Sequence, residues 1–358
     1  MKQDLLHTLY KTIAKPLFFR MDPEDVHDRA TGMGSFLGKS SFGKKFTHSL
    51  FFYEHPVLEQ TLQGISFKNP IGLAAGFDKN AQLTDILPEI GFGFEEIGSI
   101  TAEPCEGNPK PRLWRHPKLN SLRVYYGLKN DGSEAIAKRL EKKSFLFPIG
   151  ISIAKTNCLA TADTNSAIAD YLKTYERFAS IGDYDTLNIS CPNAYGGQPF
   201  TDAGRLTSLL QAIAKKRHAK PLFLKLSPDL SLEELDTIAT IADVYRVDGF
   251  ICSNLTKKHD LGNGGLSGKP VHDLSLEQVR YLFKKFHGQK IIIACGGIFC
   301  AQDAYQSIKA GAHLLQLITG MIYEGPQLIG AINQELVNFL KKDGYTKISQ
   351  TIGIENNR

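Results

Sequence analysis

No stretch of the 358 residues reaches the roughly 18 uninterrupted apolar residues that a membrane-crossing helix needs, which excludes a spanning helical protein. Cysteine is scarce: the six, at 105, 158, 191, 252, 295 and 300, form no CxxC pair and follow no secretory leader. Reduced thiols in the cytosol and no metal cluster are therefore expected. Charge of one sign is lacking too, since 42 Lys and Arg against 37 Asp and Glu leave only +5. That balance argues against nucleic acid as partner and leaves small anionic ligands. Also missing is a GxGxxG turn behind a strand, so no dinucleotide fold is expected. What the chain does have is length for one large barrel or two average domains.

The charge is uneven. Residues 1 to 50 hold eight basic residues against five acidic ones. Within them Leu5, Leu6, Leu9 and Ile13 share a helical stripe, Pro16 is expected to interrupt it, and Leu17, Phe18 and Phe19 add an apolar patch. Asp22 and Pro23 predict the cap and first residue of a second helix. A hairpin docked on the core and a basic, apolar hairpin lying in a membrane interface both satisfy this pattern.

Beyond residue 65 short apolar runs alternate with helical periodicity. The runs are 70–75, 94–100, 147–154, 186–190, 221–227, 248–254, 290–295 and 313–318. Between them Leu83, Ile86, Leu87 and Ile90 recur at helical spacing, as do Ile168, Tyr171, Leu172 and Tyr175, then Leu206, Leu209, Leu210 and Ile213. Ser231 and Glu234 form a capping box, and Leu276, Val279, Phe283 and Phe286 mark a further helix. Eight such units predict an α/β fold, a (β/α)8 TIM barrel, with functional groups at the C-terminal strand ends. Residues 1–55 are read as a helical extension and 56–358 as the barrel.

Those strand ends carry chemistry. Gly296-Gly297 and Thr319-Gly320, after the seventh and eighth runs, let backbone N–H groups approach a phosphate. Asn188, Asn193 and Asn254 offer donors and acceptors suited to a planar, carbonyl-rich ligand. Lys79 and Lys225 sit where an inward lysine is costly unless it meets an anion. Cys191 directly follows a strand, where a supported thiolate can act as a base. The other five cysteines read as small hydrophobes.

Seven motifs in order then carry a resemblance: Ala74-Ala-Gly-Phe-Asp-Lys-Asn80, the segment Gly91 to Thr101, Glu106-Gly-Asn-Pro-Lys-Pro-Arg-Leu113, Asn188-Ile-Ser-Cys-Pro-Asn193, Lys225-Leu-Ser-Pro-Asp-Leu230, Gly264-Gly-Leu-Ser-Gly-Lys-Pro270 and Gly296-Gly-Ile298. Over almost the whole chain this resembles the dihydroorotate dehydrogenases, and the extension with Asp22-Pro-Glu24 resembles the quinone-using, membrane-associated branch (class 2). The resemblance implies FMN in the barrel, held by Ala75, Gly76, Ser99, Asn188, Lys225, Ser253, Gly268, Gly297 and Thr319. It implies substrate contacts from Lys79, Asn188, Asn193 and Asn254, a proton-abstracting base at Cys191, and a quinone acceptor reached through the N-terminal helices. Peripheral attachment to the cytoplasmic side of the cell membrane follows, with Leu5, Leu6, Leu9, Ile13, Leu17, Phe18 and Phe19 toward acyl chains and Lys2, Lys11, Lys15, Arg20, Lys44 and Lys45 toward head groups.

The chain departs from the family pattern in places. A cysteine base is the choice of the soluble class 1 enzymes. Val124, Ser152, Ala194 and Leu255 stand where the family places polar or amide side chains, and Ile318-Thr319 replaces a Tyr-Ser pair. Loss of a ligand hydrogen bond weakens specificity by orders of magnitude. A diverged flavin oxidoreductase acting on another C–C bond is the alternative expectation, and a catalytically silent FMN-binding protein a second.

Overall fold

The computed structural model describes residues 2–357. Eight parallel strands close into a barrel: β1 (Ile71–Leu73), β2 (Phe94–Ile100), β3 (Ile149–Ile153), β4 (Tyr184–Asn188), β5 (Leu222–Lys225), β6 (Gly249–Cys252), β7 (Ile291–Cys295) and β8 (Leu314–Leu317). Each pairs with the next in the chain, and β8 closes on β1 through Leu315 opposite Ile71. All eight strand expectations are met. Helices cover the outside, so the strands are buried on both faces, as their near-continuous apolar runs require.

Side chains fill the barrel in layers. At the bottom Phe94, Tyr184 and Phe223 lie in one apolar cluster with Ile251, Ile293 and Leu314. Glycines make room for the rings: a Cβ on Gly72 would lie 2.3 Å from Phe94, and one on Gly150 would lie 2.1 Å from Tyr184. The antiparallel hairpin Gln60–Leu62 with Ile65–Phe67 plugs this end, Phe67 meeting Phe94 edge-on with ring centroids 5.4 Å apart. A three-stranded antiparallel sheet, made by Leu113–His116, Ser121–Val124 and Gly265–Leu266, stands beside the opposite end.

Four N-terminal helices pack on the barrel: α1 (Lys2–Leu9), α2 (Lys15–Phe19), α3 (Pro23–Gly38) and α4 (Ser41–Phe51). Asp22 caps α3 as expected, its carboxylate accepting from the N–H of Glu24 at 2.8 Å and of Asp25 at 3.2 Å. α4 gives no comparable signal in the sequence reading. Pro16 does not break the helix. A π turn over Tyr10–Ala14, with Lys15 N–H bonded to Tyr10 O, shifts the register so that the missing proline N–H falls in the first turn of α2. The 83–90 periodicity is also corrected, since only Leu87–Ile90 is helical.

The extension's apolar surface differs from the expected set. Leu5, Leu9, Ile13 and Leu17 are exposed, and Met33, Phe36, Phe42 and Phe46 on α3 and α4 join them. Phe19 instead turns inward, edge-on to Tyr323 at 5.3 Å. Lys11 pairs with Glu324 at 2.6 Å, and Lys15 lies over the Tyr323 ring at 4.9 Å, so neither points freely toward head groups. Among the described residues no helix is long and apolar enough to cross a membrane.

The layered interior predicts a steep penalty for filling a glycine. Gly150→Val drives two methyl groups into Tyr184 and is expected to cost at least about 1–3 kcal/mol, read as a lower thermal midpoint; an unchanged midpoint would refute this packing.

Candidate active site

Above the aromatic floor the barrel turns polar. Glu96, wholly buried on β2, accepts from Thr186 Oγ1 at 3.1 Å and Gln316 Nε2 at 2.9 Å through one oxygen. Its other oxygen takes no hydrogen bond and faces Lys225 Nζ at 3.6 Å. The strand lysine singled out in the sequence thus has its own counter-charge below it, with its ammonium at the level of the mouth.

The next layer holds the amides and hydroxyls. Asn188 donates to Ser99 Oγ at 2.8 Å, and Ser99 Oγ in turn lies 2.8 Å from Ser152 Oγ. Asn254 donates to Asn188 Oδ1 at 3.2 Å and to Ser190 Oγ at 3.1 Å. Asn193 donates to the Val124 carbonyl at 2.8 Å, so Val124 takes part through its backbone. Two polar atoms in this layer are buried without a partner, Ser253 Oγ and Asn193 Oδ1. Buried polar groups are rarely left so, and these two atoms keep hydrogen-bonding capacity at the mouth.

On one side the rim is glycine-lined. Gly297 has φ +71°, and a Cβ there would come within 2.4 Å of His272 Cβ. Gly268, at φ +75°, would meet the Asn120 carbonyl at 2.2 Å. Thr319 opens the helix Thr319–Glu324 and shares a 2.7 Å hydrogen bond with Ser267. The start of this helix and the close-approach glycines thus share one side of the rim. Ala75 and Gly76 follow β1, with Gly76 N–H bonded to Gly98 O at 2.7 Å.

Lys79 and Cys191 sit at the rim. Lys79 Nζ lies 2.9 Å from His27 Nε2 and 4.2 Å from the Tyr126 ring centroid. Burial lowers its ammonium to about 8, helped by Lys129 and opposed by Asp28 and other acids. The same pocket lowers His27 to about 3, first by burial and then by the Lys79 charge, so His27 is the neutral acceptor. Cys191 is half-buried on the loop after β4. Burial pushes its thiol up, against the opposing pull of the Asn193 and Ala194 amides and the Lys155 ammonium. Lys155 donates to the Tyr195 carbonyl at 2.8 Å on that loop.

The structure therefore brings together Ser99, Asn188, Lys225, Ser253 and Asn254 at the centre, Gly268, Gly297 and Thr319 on one side, and Lys79, Cys191 and Asn193 on the rim. Residues that the sequence reading missed are His27, Tyr126, Glu24 and Arg112. Glu24 and Arg112 lie inside the quoted motifs Asp22-Pro-Glu24 and Glu106–Leu113, but nothing in those motifs assigned either a role.

A parallel barrel with glycines after β7, the start of a helix after β8, and amides, lysines and a thiol facing one mouth defines an enzyme of the (β/α)8 class. The family model for dihydroorotate dehydrogenase matches residues 57–340. The chain is 38% identical over 352 residues to a dihydroorotate dehydrogenase (quinone) of Gloeobacter violaceus, covering 96% of this chain and 98% of the relative. It is 39% identical to one of Sulfurimonas denitrificans, covering 97% and 99%. Among solved structures, DHODH from Eimeria tenella in complex with ferulenol superposes with a TM-score of 0.84 at 30% identity, covering 94% of this chain and 96% of that one. The chain belongs to the dihydroorotate dehydrogenase family and is an oxidoreductase.

The Lys79 pocket generates a direct test. Lysine 13Cε resonances followed against pH are expected to show Lys79 titrating near 8, and a midpoint near the ordinary value of about 10.4 would refute its desolvation.

Proposed function

We propose that this protein oxidises dihydroorotate to orotate with bound FMN and passes the electrons to a quinone, as a step of pyrimidine biosynthesis. One observation carries the reading: the family's amides, lysines and glycine cradle meet at one barrel mouth, with unpartnered Ser253 Oγ and Asn193 Oδ1 among them. FMN fits the residues present. Gly268, Gly297 and Thr319 would hold its phosphate, and Ala75, Gly76, Ser99, Asn188, Lys225 and Ser253 its ring system. When bound, FMN supplies the two-electron chemistry.

The chain's own residues do the rest. Lys79, Asn188, Asn193 and Asn254 orient the substrate ring, with Asn193 Oδ1 free to accept from a ring N–H. Cys191, as thiolate, removes a proton from one ring carbon, and the hydride from its neighbour would go to bound FMN. Val124, Ala194 and Leu255 leave this rim less polar than the family pattern, and a less polar substrate is the second reading. Anaerobic bleaching of the bound flavin separates the two: bleaching by dihydroorotate supports the first, and bleaching only by other compounds of a related panel overturns it.

The raised Cys191 thiol fixes a pH dependence. A base works deprotonated, so the bleaching rate should climb with pH and still be rising above about 8.5, the ordinary thiol value. Cys191→Ala should slow bleaching roughly 10²–10⁴-fold with flavin content unchanged, and equal rates would exclude Cys191 as base.

Residues 1–55 serve, in this reading, as the membrane-facing unit on residues 56–358, at the cytoplasmic face of the membrane. Its support is the unpartnered apolar surface of α1 to α4, where Phe36 is 72% and Phe42 79% exposed. Replacing Phe36, Phe42 and Phe46 together by Ser should abolish flotation with anionic vesicles and depress turnover with a long-chain quinone. Turnover with a soluble dye should persist. Unchanged flotation would remove this surface from the proposal.

A further inference from the structure

We infer that Glu24, on the membrane-side helix α3, is a positioning residue for the loop that carries Cys191. The inference rests on the proposed function for its catalytic consequence and on geometry for its structural one. Glu24 is 3% exposed and Arg112 5%. The guanidinium grips the carboxylate through Nε, at 3.1 Å and 3.3 Å to the two oxygens, and through Nη2 at 2.8 Å. Lys110 at 3.6 Å and Lys129 at 3.5 Å surround the same carboxylate. Arg112 Nη1 then donates to the carbonyls of Glu106, at 2.7 Å, and Asn108, at 2.8 Å, which fixes the turn between them.

That turn holds the Cys191 loop. Asn108 Nδ2 donates to the Asn193 carbonyl at 3.1 Å, while Asn108 Oδ1 accepts from Asn157 at 3.2 Å, and Asn157 Oδ1 accepts from Tyr195 N–H at 2.5 Å. The loop has little else to shape it. It forms no helix or strand from Ile189 to Gln198, and Gly196 and Gly197, at φ +77° and +70°, have nothing within 4 Å of where a Cβ would be. Its side-chain ties from outside include those to Asn108, Asn157 and Lys155, the Asn193 side-chain bond to Val124 O, and, at its start, the bond from Asn254 to Ser190 Oγ. The turn that organises two of them is set by Arg112, and Arg112 is oriented by Glu24. Without the carboxylate a buried guanidinium is left uncompensated and must move toward water, taking the Glu106–Asn108 turn with it. The Asn193 and Ala194 amides that pull the Cys191 thiol down lie at the far end of this chain of contacts.

The test uses the full-length holoprotein and, separately, its ligand-free form. In ligand-free Glu24→Gln, amide exchange in the peptide covering residues 191–197 should rise roughly tenfold or more, with exchange in the β4 and β5 peptides unchanged. In the holoprotein, bleaching by dihydroorotate should slow about 10- to 100-fold and its pH profile should move upward, because a looser loop withdraws amides from the thiol. Reoxidation of dithionite-reduced flavin by quinone should be unaffected. Asn108→Ala, which leaves the ion pair intact, should reproduce the exchange and pH effects, and the double variant should add nothing further; this variant carries the test if Glu24→Gln does not fold. Glu24→Gln and Asn108→Ala with unchanged loop exchange and unchanged pH profile would overturn the inference. A wild-type flavin that dihydroorotate does not bleach would overturn the proposed function instead, and the exchange measurement would still decide the positioning role.

Discussion

The mouth of this barrel depends on one ion pair sealed inside it. Lys225 and Glu96 lie 3.6 Å apart on facing strands, both almost without solvent. Burying either alone is prohibitive, and removing one partner of such a pair typically costs about 3–5 kcal/mol. Glu96 is anchored by Thr186 and Gln316, so the lysine has little freedom in where its charge stands. The pair also separates two regimes. Below it Phe94, Tyr184 and Phe223 fill the barrel without a polar atom to satisfy except the Tyr184 hydroxyl; above it Ser99, Asn188 and Asn254 form a hydrogen-bonded layer beside the unpartnered Ser253 hydroxyl.

This layering explains which parts of the fold were legible in the sequence. Strands buried on both faces must be apolar nearly throughout, so eight runs stood out, and a polar residue inside one, Lys225, announced the mouth. Periodicity misled at 83–90 for a physical reason. The Asp78 carboxylate accepts from the N–H groups of Asn80, Gln82 and Leu83, fixing a compact turn that buries Leu83, Ile86 and Leu87 at helical spacing although Leu83–Ile86 is not a helix. Leu87–Ile90 then forms a single helical turn, ended by Gly91 at φ +101°.

The site was readable wherever a residue's own strand places it, and unreadable where a distant segment completes it. Glu24 reads as one more acid in the first turn of a helix, where the macrodipole already accounts for it. Nothing in its neighbourhood names Arg112, 88 positions away, as its partner. Lys11 and Lys15 read as head-group ligands because the resemblance puts this basic, apolar segment at a membrane, yet Glu324 and the Tyr323 ring claim them from the far end of the chain. Charge near a hydrophobic stripe indicates an interface; only the packed partner tells which interface.

α3 ties these observations together. Glu24 and His27 are three residues apart and so lie on one face of the helix, the first gripping Arg112 and the second meeting Lys79. Tyr126 stands between the two contacts, with Lys79 4.2 Å and Arg112 5.4 Å from its ring. Farther along the same helix Met33 and Phe36 project outward without partners. One helix therefore presents Glu24, His27 and Leu37 to the barrel and Met33 and Phe36 away from it. The lowered ammonium of Lys79 is a consequence, because His27, Phe77 and Tyr126 exclude water from it only while α3 is seated. The extension is thus part of the mouth's electrostatics as well as its cover, and the barrel alone would present Lys79 to solvent with its ammonium more strongly held and Arg112 with a different reach.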